Sequence, residues 1–191
     1  MRPIERDEVL SIRAYEPLRE HFRARVMAEK RARRISLGAH MSAVFENRDT
    51  VLLQIQEMLR TERITSEAAI QHEIDTYNDL IAADNELSLT LFVEVPEAQL
   101  REDMLVKLAG LENCVSIDVD SERFVFSGKR EGASDGRTTA VHYLKAKLSP
   151  SCAQGIRDRS AITAIVIHHK LYQARCELGA TTLASIAGDL G

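Results

Sequence analysis

The chain has 191 residues, 45% of them hydrophobic, which suffices for one well-packed domain or two small parts sharing a core and excludes a disordered chain. A net charge of −4 and a pI near 5.9 give no overall reason to expect a nucleic-acid partner. Three widely spaced cysteines, Cys114, Cys152 and Cys176, exclude a CxxC zinc or redox motif, and their odd number suits a reducing compartment. The charged start MRPIERDEVL lacks the apolar run of a signal peptide, and no later stretch approaches the ~20 apolar residues of a membrane span, so a cytoplasmic protein is expected.

Residues 2–34 read as one long helix broken near Pro17, with Tyr15, Leu18, Phe22 and Val26 on one face. Pro17 is expected in the first turn of the main helix, since an interior proline costs about 3 kcal/mol. Residues 19–34 carry seven basic groups against two acidic ones, which suits the solvated C-terminal end of a helix; binding of nucleic acid is the less favoured alternative. Gly38 punctuates the end of that helix. A second helix spans 45–64, and Thr65 and Ser66 offer an N-cap to a third whose stripe is Ile70, Ile74, Tyr77 and Ile81.

From residue 86 the period changes to two. Leu87, Leu89, Leu91, Val93 and Val95 predict a strand that Pro96 stops. A helix over 97–111 follows, then strands over 114–119 and 123–127 joined by a tight turn. The loop GKREGASDG (128–136) reads as a hairpin loop, because it lacks the spacing and the Ser/Thr of a phosphate loop. A long strand covers 138–148, Pro150 opens a short helical or irregular piece, 161–168 is a strand and 181–190 a short terminal helix. The fold class is therefore α+β, an N-terminal helical unit (1–84) packed on a largely antiparallel sheet with helices (85–191), both within one integrated domain.

Stretch 45–64 is the centre of this scheme. Val51, Leu52, Ile55, Met58 and Leu59 form its apolar stripe. On the helical wheel Glu62 falls between Met58 and Ile55, Arg48 lies beside the stripe, Gln54 flanks it, and Glu57 and Arg60 face away. Charges beside an apolar stripe need a partner or a ligand. On the strands, His142 shares the apolar parity of Ala140, Leu144 and Ala146, and Tyr143 that of Val141, Lys145 and Lys147. His169 follows Ile165 and Ile167, with Tyr172 three residues on. Candidate ligand-binding residues are thus Arg48, Gln54, Glu57, Arg60, Glu62 and Tyr172. Glu62, His142 and His169 are candidate ligands of a divalent metal, with Glu57 or Glu94 to complete the set. The plainer alternative leaves each imidazole hydrogen-bonded in or beside the core. No Glu-x-x-His or Gly-x-Ser-x-Gly occurs, which excludes a ferritin-like di-iron bundle and a serine nucleophile elbow. The cysteines read as inert packing.

The blocks KRARRISLG (30–38), FENRDTVLLQIQEMLRTERI (45–64), IDTYNDLI (74–81), ELSLTLFVE (86–94), AVHYLKAKL (140–148) and IVIHHKLYQA (165–174) together resemble the domain-of-unknown-function 3501 family, a bacterial group without an assigned activity, over nearly the whole chain. The family's usual His-Pro-x-Tyr stands here as His169-Lys170-Leu171-Tyr172. The resemblance implies a redox or peroxide-stress setting, with rubrerythrin-like or iron–sulfur oxidoreductase proteins as partners. Two functions are expected to compete: a small ligand or metal held between the second helix and the sheet, and a non-catalytic interaction module that forms a homo-oligomer.

Overall fold

Asn47 fixes where the central helix begins. Its side chain accepts the Thr50 amide at 3.0 Å while the Thr50 hydroxyl accepts the Asn47 amide at 2.9 Å, a reciprocal cap that satisfies two otherwise orphaned donors. The helix, α3 (Arg48–Thr61), ends where Arg63 turns left-handed at φ 54°. The computed structural model describes residues 1–128 and 136–191. The hairpin expected of GKREGASDG lies almost entirely outside the described residues.

Before α3, the helix expected over 2–34 is broken near Pro17, as its sequence suggested. A 3-10 turn at Arg6–Glu8 and a short α1 (Ile12–Tyr15) precede a turn at Pro17 and then α2 (Arg19–Arg33). Pro17 thus lies ahead of the main helix, where its missing N–H costs nothing. Two strands then appear that the sequence pattern did not show, β1 (Arg34–Ser36) and β2 (Met41–Phe45), joined through Gly38 at φ +76°. After α3 comes α4 (Glu67–Asn78), capped by Ser66, and β3 (Glu86–Val93). Strands β1 and β2 pair antiparallel with each other, β2 with β3, and β3 with β6 (Val141–Lys147), giving a first sheet ordered β1-β2-β3-β6.

Helix α5 (Ala98–Lys107) starts at Glu97, whose carboxylate accepts the Gln99 and Leu100 amides. It leads to β4 (Val115–Val119) and β5 (Glu122–Val125). After β6, Pro150 opens α6 (Pro150–Arg157) with Ser149 as its cap. Strand β7 (Thr163–His169) then turns into β8 (Tyr172–Glu177), a third strand absent from the expectation, and α7 (Ala180–Ala187) ends the chain with a 3-10 turn. The second sheet is ordered β5-β4-β7-β8, again antiparallel throughout. The architecture is α+β, with two sheets where one was expected.

Both sheets contribute to one core: Leu89 and Leu91 of β3, Leu144 of β6, Ile117 of β4 and Ile165 of β7 are each at most 1% exposed. A backbone pair between Ser127 and Lys145 ties the end of β5 to β6. A second core lies on α3 and α4. Val51, Ile55 and Leu59 meet Ile4, Val9, Ile70 and Ile74 there, with Tyr143 of β6 packed against them. Each fully buried aliphatic side chain contributes about 1.5–3 kcal/mol, so α3 is held by its neighbours more than by its own propensity.

Candidate functional site

The charges of α3 are neutralised by the N-terminal segments. Arg48 pairs with Glu8 and reaches the carbonyls of Arg2 and Pro3. Its hydrogen bond, helped by the Glu5 amide, draws the Glu8 carboxyl down to about 2. Glu57 takes a two-pronged bond from Arg19 at 2.8 and 2.7 Å and the Tyr15 hydroxyl at 2.7 Å. Arg19 holds its pKa below the usual carboxylate range, while burial first and Glu57 second push the Tyr15 phenol up. Arg60 forks onto Glu16 at 2.8 and 3.0 Å. The face of α3 expected to point away therefore looks at α1 and α2. Glu62 is exposed as the C-cap, because the helix stops one residue before it.

The strand residues go elsewhere. His142 is 7% exposed in the inter-sheet core, its Nε2 3.2 Å from the Thr138 hydroxyl, which is itself 3.4 Å from a Glu112 carboxylate oxygen. Burial lowers the imidazole pKa, and Glu112 partly opposes that. His169 is buried at the end of β7, where its Nδ1 accepts the Leu171 amide at 3.3 Å. The Tyr172 hydroxyl donates to the Leu37 carbonyl at 2.6 Å and accepts the His40 amide at 3.2 Å, clamping the β1–β2 turn. Glu94 pairs with Arg34.

The expected metal set of Glu62, His142 and His169 does not assemble. Among the described residues no three His, Cys, Asp or Glu side chains lie close enough to hold an ion. His142 and His169 each have a local partner, and Glu62 is exposed. Burial pushes the Cys114 and Cys152 thiols up, and the Cys152 thiol donates to Glu122 at 3.1 Å. Of the seven basic residues at 19–34, four are ion-paired among the described residues: Arg19 with Glu57, Arg25 with Asp49, Arg33 with Asp189 and Arg34 with Glu94.

One predicted residue, Gln54, bonds a side chain that lines a cavity, Tyr143. Thr50 and Gln54 lie four apart on the face of α3 that covers the first sheet. Thr50 donates to Glu46 Oε2, whose other oxygen accepts the Thr90 hydroxyl at 2.6 Å. One turn on, the Gln54 amide Nε2 donates to the Tyr143 hydroxyl at 3.3 Å. Thr90 and Tyr143 are register partners across β3 and β6, so both contacts fall in one row.

Beside this row a cleft of about 420 Å³ opens between the end of α4, the start of β3, β6 and Ser127–Gly128. Tyr77, Tyr143, Leu80, Leu144, Lys145 and Glu86 line it, with Thr76 and Asp79 at the end of α4. Lys145 Nζ donates to the Ile81 carbonyl at 2.7 Å and lies 3.5 Å from Glu86. Burial raises the Tyr77 phenol, and the Gln54 donor opposes the rise. Gly128 passes so close that a Cβ there would stand 2.1 Å from the Tyr143 carbonyl oxygen; only glycine fits. Sequence reasoning followed the histidine parity of β6 and so missed its other face. The signal was present in Tyr143 and Lys145 sharing a side, and in Tyr77 carrying a hydroxyl on an otherwise apolar stripe.

The sequence matches the model of a family described as protein of unknown function (DUF3501) over residues 3–190. The chain belongs to this family. A crystal structure of a novel protein of unknown function from Burkholderia pseudomallei K96243 is 32% identical to this DUF3501 chain, covers 100% of both chains and superposes with a TM-score of 0.92. No curated protein matches. Among the described residues, no helix of this DUF3501 protein is long and apolar enough to cross a membrane.

Proposed function

We propose that the protein binds a small organic ligand in the cleft between α4 and the β3–β6 edge. The observation that carries this is the 420 Å³ concavity in which two phenols, Tyr77 and Tyr143, and Lys145 stand beside the apolar walls of Leu80 and Leu144. That volume lies in the range of small-molecule sites, and few convergent polar groups on apolar walls are what orient a ligand. An accessory role beside a redox or peroxide-stress system, with rubrerythrin-like or iron–sulfur partners, rests on the family resemblance alone.

Native mass spectrometry of protein isolated from its own host tests the proposal. A ligand mass present under native conditions and absent after denaturation is expected. Thr76→Trp, which fills the mouth of the cleft from an exposed helix position, should remove it. Unliganded wild-type protein from several growth conditions would overturn the proposal.

Leu18, 53% exposed, and Leu10, 36% exposed, border a second furrow of about 270 Å³ with Phe22 and Leu52. Apolar groups left open beside a groove also suit pairing of two copies of this chain. Light scattering of wild type and Leu18→Glu measures this directly, and a monomer at high concentration rejects it.

A further inference from the structure

We propose that a hollow between α1 and the turn from α3 to α4 binds the phosphate group of a small phosphate monoester. This second site is independent of the cleft beside β6, and all of its lining lies among the described residues.

The hollow measures about 830 Å³, and three arginines line it: Arg13 from α1, Arg60 from the last turn of α3 and Arg63 from the turn that follows. Their guanidinium groups meet a single lining carboxylate, that of Glu16, which Arg60 already holds with two bonds. Arg13 and Arg63 are left over, and among the described residues neither side chain has a hydrogen-bond or ion-pair partner. Such arginines are few. Most of the others bond a carboxylate or a carbonyl; of the described ones that do not, Arg13, Arg23, Arg31, Arg63 and Arg159, two stand in this one hollow. Nearby acids do not compensate them, since Glu57 is bound by Arg19, Glu67 by Arg6, and Glu62 is exposed and outside the lining.

Arg63 also stands where helices usually place glycine. The Ile64 amide donates to the Leu59 carbonyl at 2.9 Å, closing the end of α3 around a residue at φ 54°. A side chain in left-handed backbone carries a steric cost, and this one returns nothing to the fold by bonding. The dipole of α3 favours a cation at that end, but Arg60 already supplies one, and Arg13 on the facing wall is not explained by it. A guanidinium fork matches a phosphate through two parallel N–H bonds. Two unmatched forks call for a doubly charged anion, which a phosphate monoester becomes above its second pKa of about 6, whereas a carboxylate leaves one fork unmatched. Ser11, Thr61 and Thr65 add hydroxyls to the lining; the Ser11 oxygen accepts the Ala14 amide at 3.3 Å, which leaves its proton to donate. The space exceeds a bare phosphate, and half-buried Ile12 offers apolar surface to an organic body.

The test uses the full chain and three probes titrated by NMR: phenyl phosphate, inorganic phosphate and benzoate. Phenyl phosphate is expected to shift the backbone amides of residues 11–13 and 61–65 and to bind at least about tenfold more tightly than benzoate. Inorganic phosphate should move the same amides with weaker affinity. Arg13→Gln/Arg63→Gln, at two exposed positions, should lose about tenfold or more for phenyl phosphate with an unchanged circular dichroism spectrum, while Arg23→Gln/Arg31→Gln should bind as wild type does. No response to phenyl phosphate at millimolar concentration, shifts centred on α2 or on the Tyr77–Tyr143 cleft, or equal losses in the two double variants overturns the site. Benzoate binding as tightly as phenyl phosphate overturns the doubly charged ligand, and inorganic phosphate doing so overturns the ester. The cleft beside β6 is judged separately, by the native ligand mass and its loss in Thr76→Trp.

Discussion

The Tyr172 hydroxyl donates to the Leu37 carbonyl at 2.6 Å across 135 residues of sequence, tying the start of β8 to the β1–β2 turn. Gly38 makes that approach possible: its φ is +76°, and a Cβ would stand 2.5 Å from the same hydroxyl. Tyr172→Phe should destabilise by about 1–2 kcal/mol through the unpaired carbonyl. Gly38→Ala should cost more, since it adds strain at a left-handed residue to the collision. In the double variant the collision is relieved, so the two losses should sum to more than the loss measured together. Urea unfolding of the four proteins checks this, and strict additivity would mean the contact is not formed.

A buried ion pair holds α2 to the C-terminal turn. Arg33 is 0% exposed; it bonds Asp189 and the carbonyls of Phe45, Glu46 and Ser185. Arg33→Met leaves Asp189 buried among acceptors and should cost about 3–5 kcal/mol. Arg33→Met/Asp189→Leu should recover part of that loss, because no lone charge remains. Thermal unfolding of the single and double variants decides it; a double variant worse than the single would assign the loss to the carbonyl contacts instead.

Burial lowers the His142 pKa from its ordinary value of 6.5, with Glu112 opposing. The folded chain therefore prefers the neutral ring, and the unfolded chain takes up a proton first as the pH falls. The sign follows: stability from this site is full above about pH 6.5 and is lost on acidification from there down through the folded pKa. His142→Leu should flatten the stability-versus-pH curve between about pH 7 and 5 relative to wild type. Parallel curves for the two proteins would show that the ring titrates equally in both states.

The elements that carried a period were legible: the 3.6-residue stripes of α3 and α4 and the alternation of β3 each appear where they were expected. Strand β2 was not, because all five of its residues are buried, on both faces, so no alternation survives. Strand β1 has three residues, too few to show any. Strand β8 does alternate, with Tyr172, Ala174 and Cys176 against the core and Gln173, Arg175 and Glu177 outward, and this signal was overlooked. For the site, the helical wheel put Arg48 and Glu62 beside the stripe as charges in need of partners and Glu57 and Arg60 on the far side; Arg48 is paired, Glu62 is exposed, and Glu57 and Arg60 are paired as well. The wheel could not show that Glu8, Arg19 and Glu16 supply the partners, since those arrive from a chain segment whose path depends on where α1 breaks. Gln54 was found for its position beside the stripe, and its partner Tyr143 was missed because it sits on another element.

Behind Gln54, the layer between α3 and the first sheet holds a buried carboxylate. Glu46 is 2% exposed and accepts from Thr50 and Thr90, while its own amide donates to the Ser88 carbonyl at 2.8 Å. Thr50→Val removes a hydroxyl bonded to this carboxylate and also its half of the reciprocal cap of α3, the bond from the Asn47 amide, so it should cost about 2–3 kcal/mol. Thr90→Val removes the carboxylate bond alone and should cost less. Ser88→Ala should go the other way: the Ser88 hydroxyl is fully buried and, among the described residues, has no hydrogen-bond partner, so its loss should be neutral or stabilising by up to about 1 kcal/mol. Chemical denaturation ranks the three. A Ser88→Ala variant as damaged as Thr90→Val would mean that a bound water joins the serine to Glu46, which a high-resolution crystal structure would then locate.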